Sequence, residues 1–213
     1  MAGSVIAQPA NARSRRTRAA LLEAARELLE GQGFEALTMT AVADRAGVTR
    51  RAAYMHFASR SDLVAALFDH LAVVEGLGRS LEKVWRAPDA VAALDEWAAH
   101  LARYHPRLLS VDRALQQVWR HDADAAAHRA RVVDEKLANC RRLADRLADE
   151  GRLSEAWTPA AAADMLFALV ASDVVEALLV DRGWSRRQLG DGLAVLFRST
   201  FVAAEPQPAA SHR

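Results

Sequence analysis

The sequence predicts an all-α protein built from a small N-terminal domain of three helices and a larger helical domain. Three observations support this prediction. Apolar residues recur at intervals of three and four over most of the 213-residue chain, alanine is abundant, and the valine, isoleucine and threonine runs typical of strands are scarce. Hydrophobic residues make up 52% of the chain and charged residues 26%, as in ordinary globular domains.

The first sixty residues are predicted to contain one long helix and two short ones. Segment 15–32, RRTRAALLEAARELLEGQ, has apolar residues at helical spacing and stops at glycine. Thr38 and Thr49 are suitable N-caps for the second and third helices, because their hydroxyls can accept hydrogen bonds from first-turn N–H groups. The two short helices meet at Gly47-Val48, which gives a helix-turn-helix pattern.

Longer helices are predicted for the rest of the chain, each bounded by a capping residue, a proline or a glycine. They run from Ser59 into the mid-80s, from Pro88 to about Tyr104, from Pro106 to about His121, from 124 to 150, from 159 to 181, and from Ser185 to about Ala203. Residues 1–12 and 205–213 lack apolar periodicity and are predicted to be disordered tails. The predicted domains are residues 13–72 and 73–204.

Several classes of protein are disfavoured by the composition. The single cysteine, Cys140, leaves no pair for an internal disulfide, and no Cys/His spacing suits a zinc site. No long uncharged apolar stretch predicts a membrane span or a signal peptide, so we expect a cytoplasmic protein without membrane contact or cofactor. Residues 1–60 hold nine arginines and five acidic residues in a chain of net charge +1, and this basic end indicates a polyanionic partner.

Segment 47–63, GVTRRAAYMHFASRSDL, combines core residues with long hydrogen-bonding side chains. At about 100° per residue, Ala53 and Phe57 share one stripe of the third helix and are predicted to face the core. A helix in the DNA major groove uses arginine to contact guanine, and hydroxyl or imidazole groups to contact phosphates. A basic, solvated helix face is the alternative. The polar residues opposite or beside the core stripe are Arg50, Arg51, Tyr54 and His56.

This region resembles the tetracycline-repressor (TetR) family of bacterial one-component regulators. The resemblance covers about residues 15–70 and rests on GFEALTMTAVADRAGVTRRAAYMHFASRSDLVAALF, which follows the family's Gly-Phe-x-x-x-Thr start and its Tyr-x-(His/Tyr)-Phe end. It implies a transcriptional regulator of double-stranded DNA at the nucleoid, by default a repressor, with activation as the alternative. Two adjacent arginines predict guanine in the half-site. The implied backbone contacts are Thr40, Tyr54, His56 and Arg60, and the implied base-reading residues are Thr49, Arg50, Arg51 and Ala52.

The predicted helix 159–181 is apolar on almost every face, although a surface helix needs only one apolar stripe. It is either buried in the centre of one chain or packed against both its own core and a second copy, and we prefer the second alternative. A homodimer would space two recognition helices about 34–36 Å apart on a palindromic operator, and the resemblance implies pairing through the last two helices. The predicted interface residues are Met165, Leu169, Val174, Leu178, Leu193, Phe197 and Phe201.

The helices between these two regions carry no DNA-binding pattern, and the resemblance implies a pocket for a small-molecule effector there. Aromatic or polar residues on apolar stripes are the candidates to line it, although ordinary core packing is the simpler explanation for each. They are Trp97, His100, Leu101, Tyr104, Trp119, Cys140, Trp157 and Phe167. The predicted mechanism is that the effector tilts the helix beginning at Ser59 and moves the recognition helices out of register on DNA.

Two other kinds of function remain as alternatives. An enzyme would need a nucleophile and base, paired acids in a cleft or a glycine-rich phosphate loop, and none of these patterns is present. His121 and His128, with Asp122 and Asp124 between them, would suit a divalent metal, but a solvated loop is the more common structure for such a cluster. A helical adaptor protein would show no preference among DNA sequences.

Overall fold

The computed structural model describes residues 11–204, and its structure over that range is all-α, as predicted. Its helices are α1 (Ala12–Gln32), α2 (Met39–Arg45), α3 (Arg50–His56), α4 (Arg60–Val74), α5 (Leu77–Trp85), α6 (Ala90–Tyr104), α7 (Leu109–Val118), α8 (Ala123–Asp149), α9 (Pro159–Leu169), α10 (Ser172–Glu176) and α11 (Arg186–Phe201). Single turns of 3₁₀ helix lie at Phe34–Ala36 and His105–Arg107. None of the helices in this range is both long and apolar enough to cross a bilayer.

The chain divides into two compact units whose segments alternate along the sequence. The first unit contains the described residues up to Val74 together with Ser110–Ala130, and the second contains Glu75–Leu109 and the chain from Arg131 onward. The sequence had suggested a single boundary near residue 72. The difference arises because apolar residues of α7 and the start of α8 pack with the N-terminal helices, as Val111 and Leu115 do.

The first helix begins earlier than predicted. The side chain of Asn11 accepts hydrogen bonds from the N–H groups of Arg13 at 2.8 Å and Ser14 at 3.1 Å, so it caps α1 and makes the basic segment 13–18 helical. Residues 1–10 and 205–213, which hold most of the two predicted tails, lie outside the described residues.

The helix predicted from Ser59 into the mid-80s is two helices, and the single-helix prediction was wrong. Ser59 does cap α4, because its Oγ accepts a hydrogen bond from the Asp62 N–H at 3.1 Å. The chain leaves the helix after Val74, and Gly76 adopts φ 77° and ψ 32° before α5 begins. This left-handed conformation is accessible to glycine at little cost and ends the regular hydrogen-bond ladder.

The predicted helix 159–181 is also interrupted. Thr158 caps α9, because its Oγ1 accepts a hydrogen bond from the Ala161 N–H at 3.2 Å, and Pro159 occupies the first helical position. The helix ends at Leu169, Ala171 takes an extended conformation at ψ 144°, and a short α-helix and one π-helical turn follow. No glycine or proline marks the break, so local sequence signals did not reveal it.

The core of the second unit is centred on α6. Leu94, Trp97 and Leu101 of this helix are buried with Leu166 and Phe197. Helices α6 and α11 pack closely at Gly190 of α11 and Ala102 of α6. A Cβ atom added to Gly190 would lie only 3.3 Å from the Cβ of Ala102, which is tighter than ordinary contact.

The last helix begins and ends as the sequence indicated. Ser185 and Gln188 form a reciprocal capping box at the start of α11. Just after it, the isolated bridge between Leu153 and Val202 is the one β-type pairing within residues 11–204.

Candidate functional site

The helix-turn-helix forms as the capping residues predicted. Thr38 Oγ1 accepts from the Ala41 N–H at 3.1 Å and starts α2, and Thr49 Oγ1 accepts from the Ala52 N–H at 3.2 Å and starts α3. Between the two helices Gly47 adopts φ 66°, which a residue with a Cβ atom rarely does. Local hydrogen bonds therefore fix the angle at which α3 leaves the turn.

One face of α3 is fully buried and the opposite face is open to solvent. Ala53 and Phe57 are each 1% exposed and belong to the core of the first unit, together with Val42 and Leu28, as predicted. The buried stripe anchors the helix by removing its apolar surface from water. The outward face carries exposed Arg50, Arg51, Tyr54 and Met55, with half-buried Ala52 and His56 beside them.

Arg50 and Tyr54, one helical turn apart, form a pair on this outward face. The Arg50 guanidinium carbon lies 5.5 Å from the Tyr54 ring centroid, and Nη2 donates to the Tyr54 Oη at 3.4 Å. Within residues 11–204, Arg51 makes no such contact, and it is exposed on the first turn of the helix. The outward face of α3 therefore presents the guanidinium of Arg51 next to the Arg50–Tyr54 pair.

The other predicted contact residues lie at the edges of this face. Thr40 is exposed on the first turn of α2. His56 is half-buried, and burial together with the charge of Arg18 lowers its pKa. The Arg18 guanidinium lies 4.7 Å from the Phe57 ring centroid, and its buried Nη1 has no hydrogen-bond acceptor within the described chain.

Arg60 differs from the other predicted DNA contacts because the protein itself engages its guanidinium. Nη1 lies 2.8 Å from a carboxylate oxygen of Asp122 and 2.9 Å from one of Asp124, and Nε donates to the Leu37 carbonyl at 2.7 Å. The remaining nitrogen, Nη2, donates to the Phe34 carbonyl at 3.3 Å. We call Arg60, Asp122 and Asp124 the Arg60 clamp. Its geometry does not favour the phosphate contact that the resemblance implied for Arg60.

The clamp also accounts for the two aspartates of the cluster His121, Asp122, Asp124 and His128. The sequence allowed this cluster to be either a metal site or a solvated loop. Asp122 Oδ1 accepts the N–H groups of Asp124 and Ala125, so Asp122 caps α8 while holding Arg60. Partial burial opposes ionisation of Asp122, but the hydrogen bonds from Ala125 and Arg60 prevail and lower its pKa. His128 instead stacks on Phe68. Among the described residues, no group of potential ligands has the geometry of a metal site.

Three predicted pocket residues stand as a column of rings in the second unit. The ring centroids of Trp97 and His100 are 5.1 Å apart, and those of His100 and Tyr104 are 5.7 Å apart. The His100 Nδ1 lies 2.9 Å from Ser80 Oγ, which also accepts from Arg103 Nε at 3.1 Å.

Burial of this column and of His105 beside it shifts the pKa of both histidines and leaves one buried N–H group without an acceptor in the described chain. Burial, followed by the charge of Arg103, lowers the pKa of His100 to about 4. Burial, followed by the charges of Lys136 and His100, lowers the pKa of His105 to about 3. The Trp97 Nε1 is buried and has no hydrogen-bond acceptor in the described chain.

The other predicted pocket residues are divided between several places. Leu101 and Cys140 are fully buried core residues, and burial raises the pKa of the Cys140 thiol to about 12. Phe167 lies 5.5 Å from the Lys136 ammonium, and Trp157 packs on Phe201 and donates to the Thr200 carbonyl. Trp119 packs against the core of the first unit, and the guanidinium carbons of Arg120 and Arg129 lie 4.7 Å and 4.3 Å from its ring centroid.

The predicted interface residues also fall into two groups. Met165 and Val174 are exposed, at 39% and 41%, and Leu169 and Leu178 are half-buried. Leu193, Phe197 and Phe201 are at most 3% exposed, so the chain's own core occupies them and they cannot form a surface for a second copy. That part of the prediction was wrong, because a helical stripe does not show which partner it faces. The exposed apolar residues of α11 are Val195 and Leu196 instead.

Comparison with known proteins matches both the sequence of the helix-turn-helix and the fold of the chain. Residues 21–67 match the family model described as bacterial regulatory proteins, tetR family. A segment of 55 residues is 44% identical to the HTH-type transcriptional regulator TtgR of Pseudomonas putida. The matched segment covers 26% of this chain and 26% of that relative, so the sequence match spans about a quarter of either protein.

Two solved structures share the fold over about nine-tenths of the chain. One is NalD of Pseudomonas aeruginosa, described as the secondary repressor of the MexAB-OprM multidrug efflux pump, at 22% identity and a TM-score of 0.69 over 89% of this chain and 98% of that one. The other is SmeT in complex with triclosan, at 21% identity and a TM-score of 0.71 over 91% and 99%. Residues 21–67 therefore carry the helix-turn-helix sequence of the tetR family of bacterial regulatory proteins, and the chain shares its helical architecture with these two structures.

Proposed function

We propose that the protein is a DNA-binding transcriptional regulator, acting as a repressor, that binds a palindromic operator as a homodimer and is released by a small-molecule effector in the cytoplasm. The observation that carries the proposal is the two-sided recognition helix. Ala53 and Phe57 hold α3 in the core, while Arg50, Arg51 and Tyr54 are exposed on its outward face. An enzyme or an adaptor would have no need for this arrangement of donors.

A homodimer follows from the need to contact two half-sites, since one helix-turn-helix reads only one. Exposed apolar residues at the C-terminal end of the chain suit such an interface. Met165 on α9, Val174 on α10, and Val195 and Leu196 on α11 are all more than a third exposed. A surface of this kind is stabilised when a second copy removes it from water.

Selection of duplexes from a random library with the purified full chain tests the DNA-binding proposal most directly. We expect an inverted repeat that contains guanine in each half-site, because two arginines lie at the start of α3. Recovery of no consensus would favour the adaptor alternative. A consensus without dyad symmetry would contradict the proposed homodimer.

Substitution of Arg51 with alanine should weaken binding to the selected operator by about 1–3 kcal/mol and relax base preference at one position of each half-site. Arg51 is exposed and, in the described part of the chain, makes no contact like that of Arg50 with Tyr54, so its guanidinium is available to a base edge. Fluorescence anisotropy with operators altered at single positions gives both quantities. The matched control is Arg187→Ala, which removes an exposed arginine at the other end of the chain. An equal loss on random duplexes would assign Arg51 to a phosphate contact.

Substitution of Tyr54 with phenylalanine should weaken binding to operator and random duplexes alike, by about 0.5–1.5 kcal/mol. The change removes the hydroxyl that would contact phosphate and that orients Arg50, while the ring beneath the guanidinium remains. Titration of both duplexes at one salt concentration measures the two losses. A loss confined to the operator would contradict the assigned backbone contact.

The proposal of an effector rests on the ring column and on its buried donor. An unpaired buried N–H costs about 1–3 kcal/mol, so a ligand with an acceptor near Trp97 Nε1 would gain that interaction. The SmeT structure contains triclosan, an aromatic molecule with oxygen acceptors, and triclosan is therefore the first probe. To release DNA, an effector must favour the non-binding state by several kcal/mol. Unchanged operator affinity at saturating probe, established by quenching of tryptophan fluorescence, would reject triclosan as an effector of this protein.

A further inference from the structure

The second unit contains a cleft between α5 and α6 whose walls are strongly basic. Its volume is about 350 Å³, which is at the lower end of the range for small-molecule sites. Each side of the cleft contributes two cations, and the two on α5 are four residues apart, so they lie on one face of that helix. The cations lining the cleft are Arg79 and Lys83 from α5, Arg103 from α6 and Arg107 from the following 3₁₀ turn.

Two of these cations are held in fixed positions by the protein. Arg103 donates to Glu96 Oε1 at 2.6 Å and to Ser80 Oγ at 3.1 Å. Arg107 donates to the Glu75 carbonyl at 3.0 Å and lies 3.6 Å from a carboxylate oxygen of the same residue. These contacts orient the guanidinium groups before any ligand arrives, which lowers the entropic cost of binding.

The other two cations have no carboxylate partner in the described chain. Arg79 and Lys83 are both exposed on α5. The Arg79 guanidinium folds back toward Gly76, with Nη2 3.2 Å from the position of a Cβ on that residue. Gly76 is the N-cap of α5 and has no side chain to cap the helix. The guanidinium of Arg79 therefore lies beside the positive end of the α5 dipole, and both favour a bound anion.

The charge of the cleft is unbalanced. Glu75 is the one acidic residue among those that line it, which leaves a net charge of +3, or +2 when Glu96 behind Arg103 is counted. Tyr104 completes the wall and offers a ring face beside the cations. We propose that this cleft binds a small organic molecule that carries a phosphate monoester, with the dianion between Arg79, Lys83 and the oriented arginines and the organic group against Tyr104.

Isothermal titration calorimetry of the full chain tests the site without DNA, so a negative result would leave the proposed DNA-binding function untouched. The probes are phenyl phosphate, inorganic phosphate and uncharged benzyl alcohol. We expect phenyl phosphate to bind with a millimolar or lower dissociation constant, inorganic phosphate more weakly, and benzyl alcohol not at all. Equal binding of both anions would assign the cleft to free phosphate, and failure of both to bind at 10 mM would overturn the proposal.

Matched variants locate the binding. Arg79→Gln and Lys83→Gln should each weaken phenyl phosphate binding by roughly tenfold, because each loses a charge-assisted contact at a partly solvated site. Arg86→Gln removes an arginine of the same segment that pairs with Glu82 outside the cleft, and it should bind as the original protein does. Equal losses in Arg86→Gln would indicate general charge attraction and overturn the proposal. Displacement of phenyl phosphate by a random DNA duplex, with a parallel loss of duplex affinity in Arg79→Gln, would reassign the cleft to DNA.

Discussion

Replacement of Arg60 with methionine should lower the free energy of unfolding by about 2–4 kcal/mol. Arg60 uses all three guanidinium nitrogens inside the protein, in contacts with Asp122, Asp124 and two backbone carbonyls. Its side chain and those of the two aspartates are 19–27% exposed. Methionine keeps much of the packing on Phe34 but leaves two partly desolvated carboxylates facing each other. Chemical denaturation followed by circular dichroism measures the loss.

A surface pair provides the control for this prediction. Arg45 pairs with Glu27 at 3.1 Å, with both side chains about half exposed, and Arg45→Met should cost less than about 1 kcal/mol. Asp124→Asn in the Arg60→Met background should recover part of the loss, because it removes one of the two repelling charges. Similar losses for Arg60→Met and Arg45→Met would show that the clamp contributes no more than a solvated ion pair.

The helix-turn-helix could be predicted from the sequence because local interactions determine it. Thr38, Thr49 and Ser59 each cap the helix that the sequence assigned to them, and Gly47 takes the left-handed conformation that the turn requires. The stripe of Ala53 and Phe57 followed from helical periodicity alone. Each of these signals spans fewer than about eight residues and needs no knowledge of the rest of the chain.

The features that the sequence did not reveal depend on contacts between distant segments. The Arg60 clamp joins residues 62 and 64 positions apart, and nothing near Arg60 indicates that it pairs within the protein. The stripe of Leu193, Phe197 and Phe201 was visible, but periodicity cannot distinguish a chain's own core from a partner. Asp122 did carry a usable signal, since an Asp just before a helical pattern is a common N-cap.

Acidification from pH 7 to pH 5 should lower the free energy of unfolding by about 4 kcal/mol through two histidines of the second unit. In the unfolded chain a histidine has a pKa near 6.5, whereas in the folded protein the pKa is about 4 for His100 and about 3 for His105. The folded state therefore resists protonation that the unfolded state accepts. The contribution of the two histidines to stability is fully present above about pH 6.5 and is lost as the pH falls, down to about pH 4 for His100 and about pH 3 for His105. At pH 5 the loss is about 2 kcal/mol per histidine.

His100→Gln isolates one half of this effect. Glutamine can still pair with Ser80 Oγ but does not titrate, so the variant should lose about 2 kcal/mol less than the original protein between pH 7 and pH 5. Because a buried glutamine shifts stability at every pH, the quantity to compare is the difference between the two pH values, from urea denaturation at each. If His100→Gln and the original protein lost the same stability on acidification, His100 would have to be solvated and protonated in the folded state, and the ring column would not be the desolvated wall that an effector site at Trp97 requires.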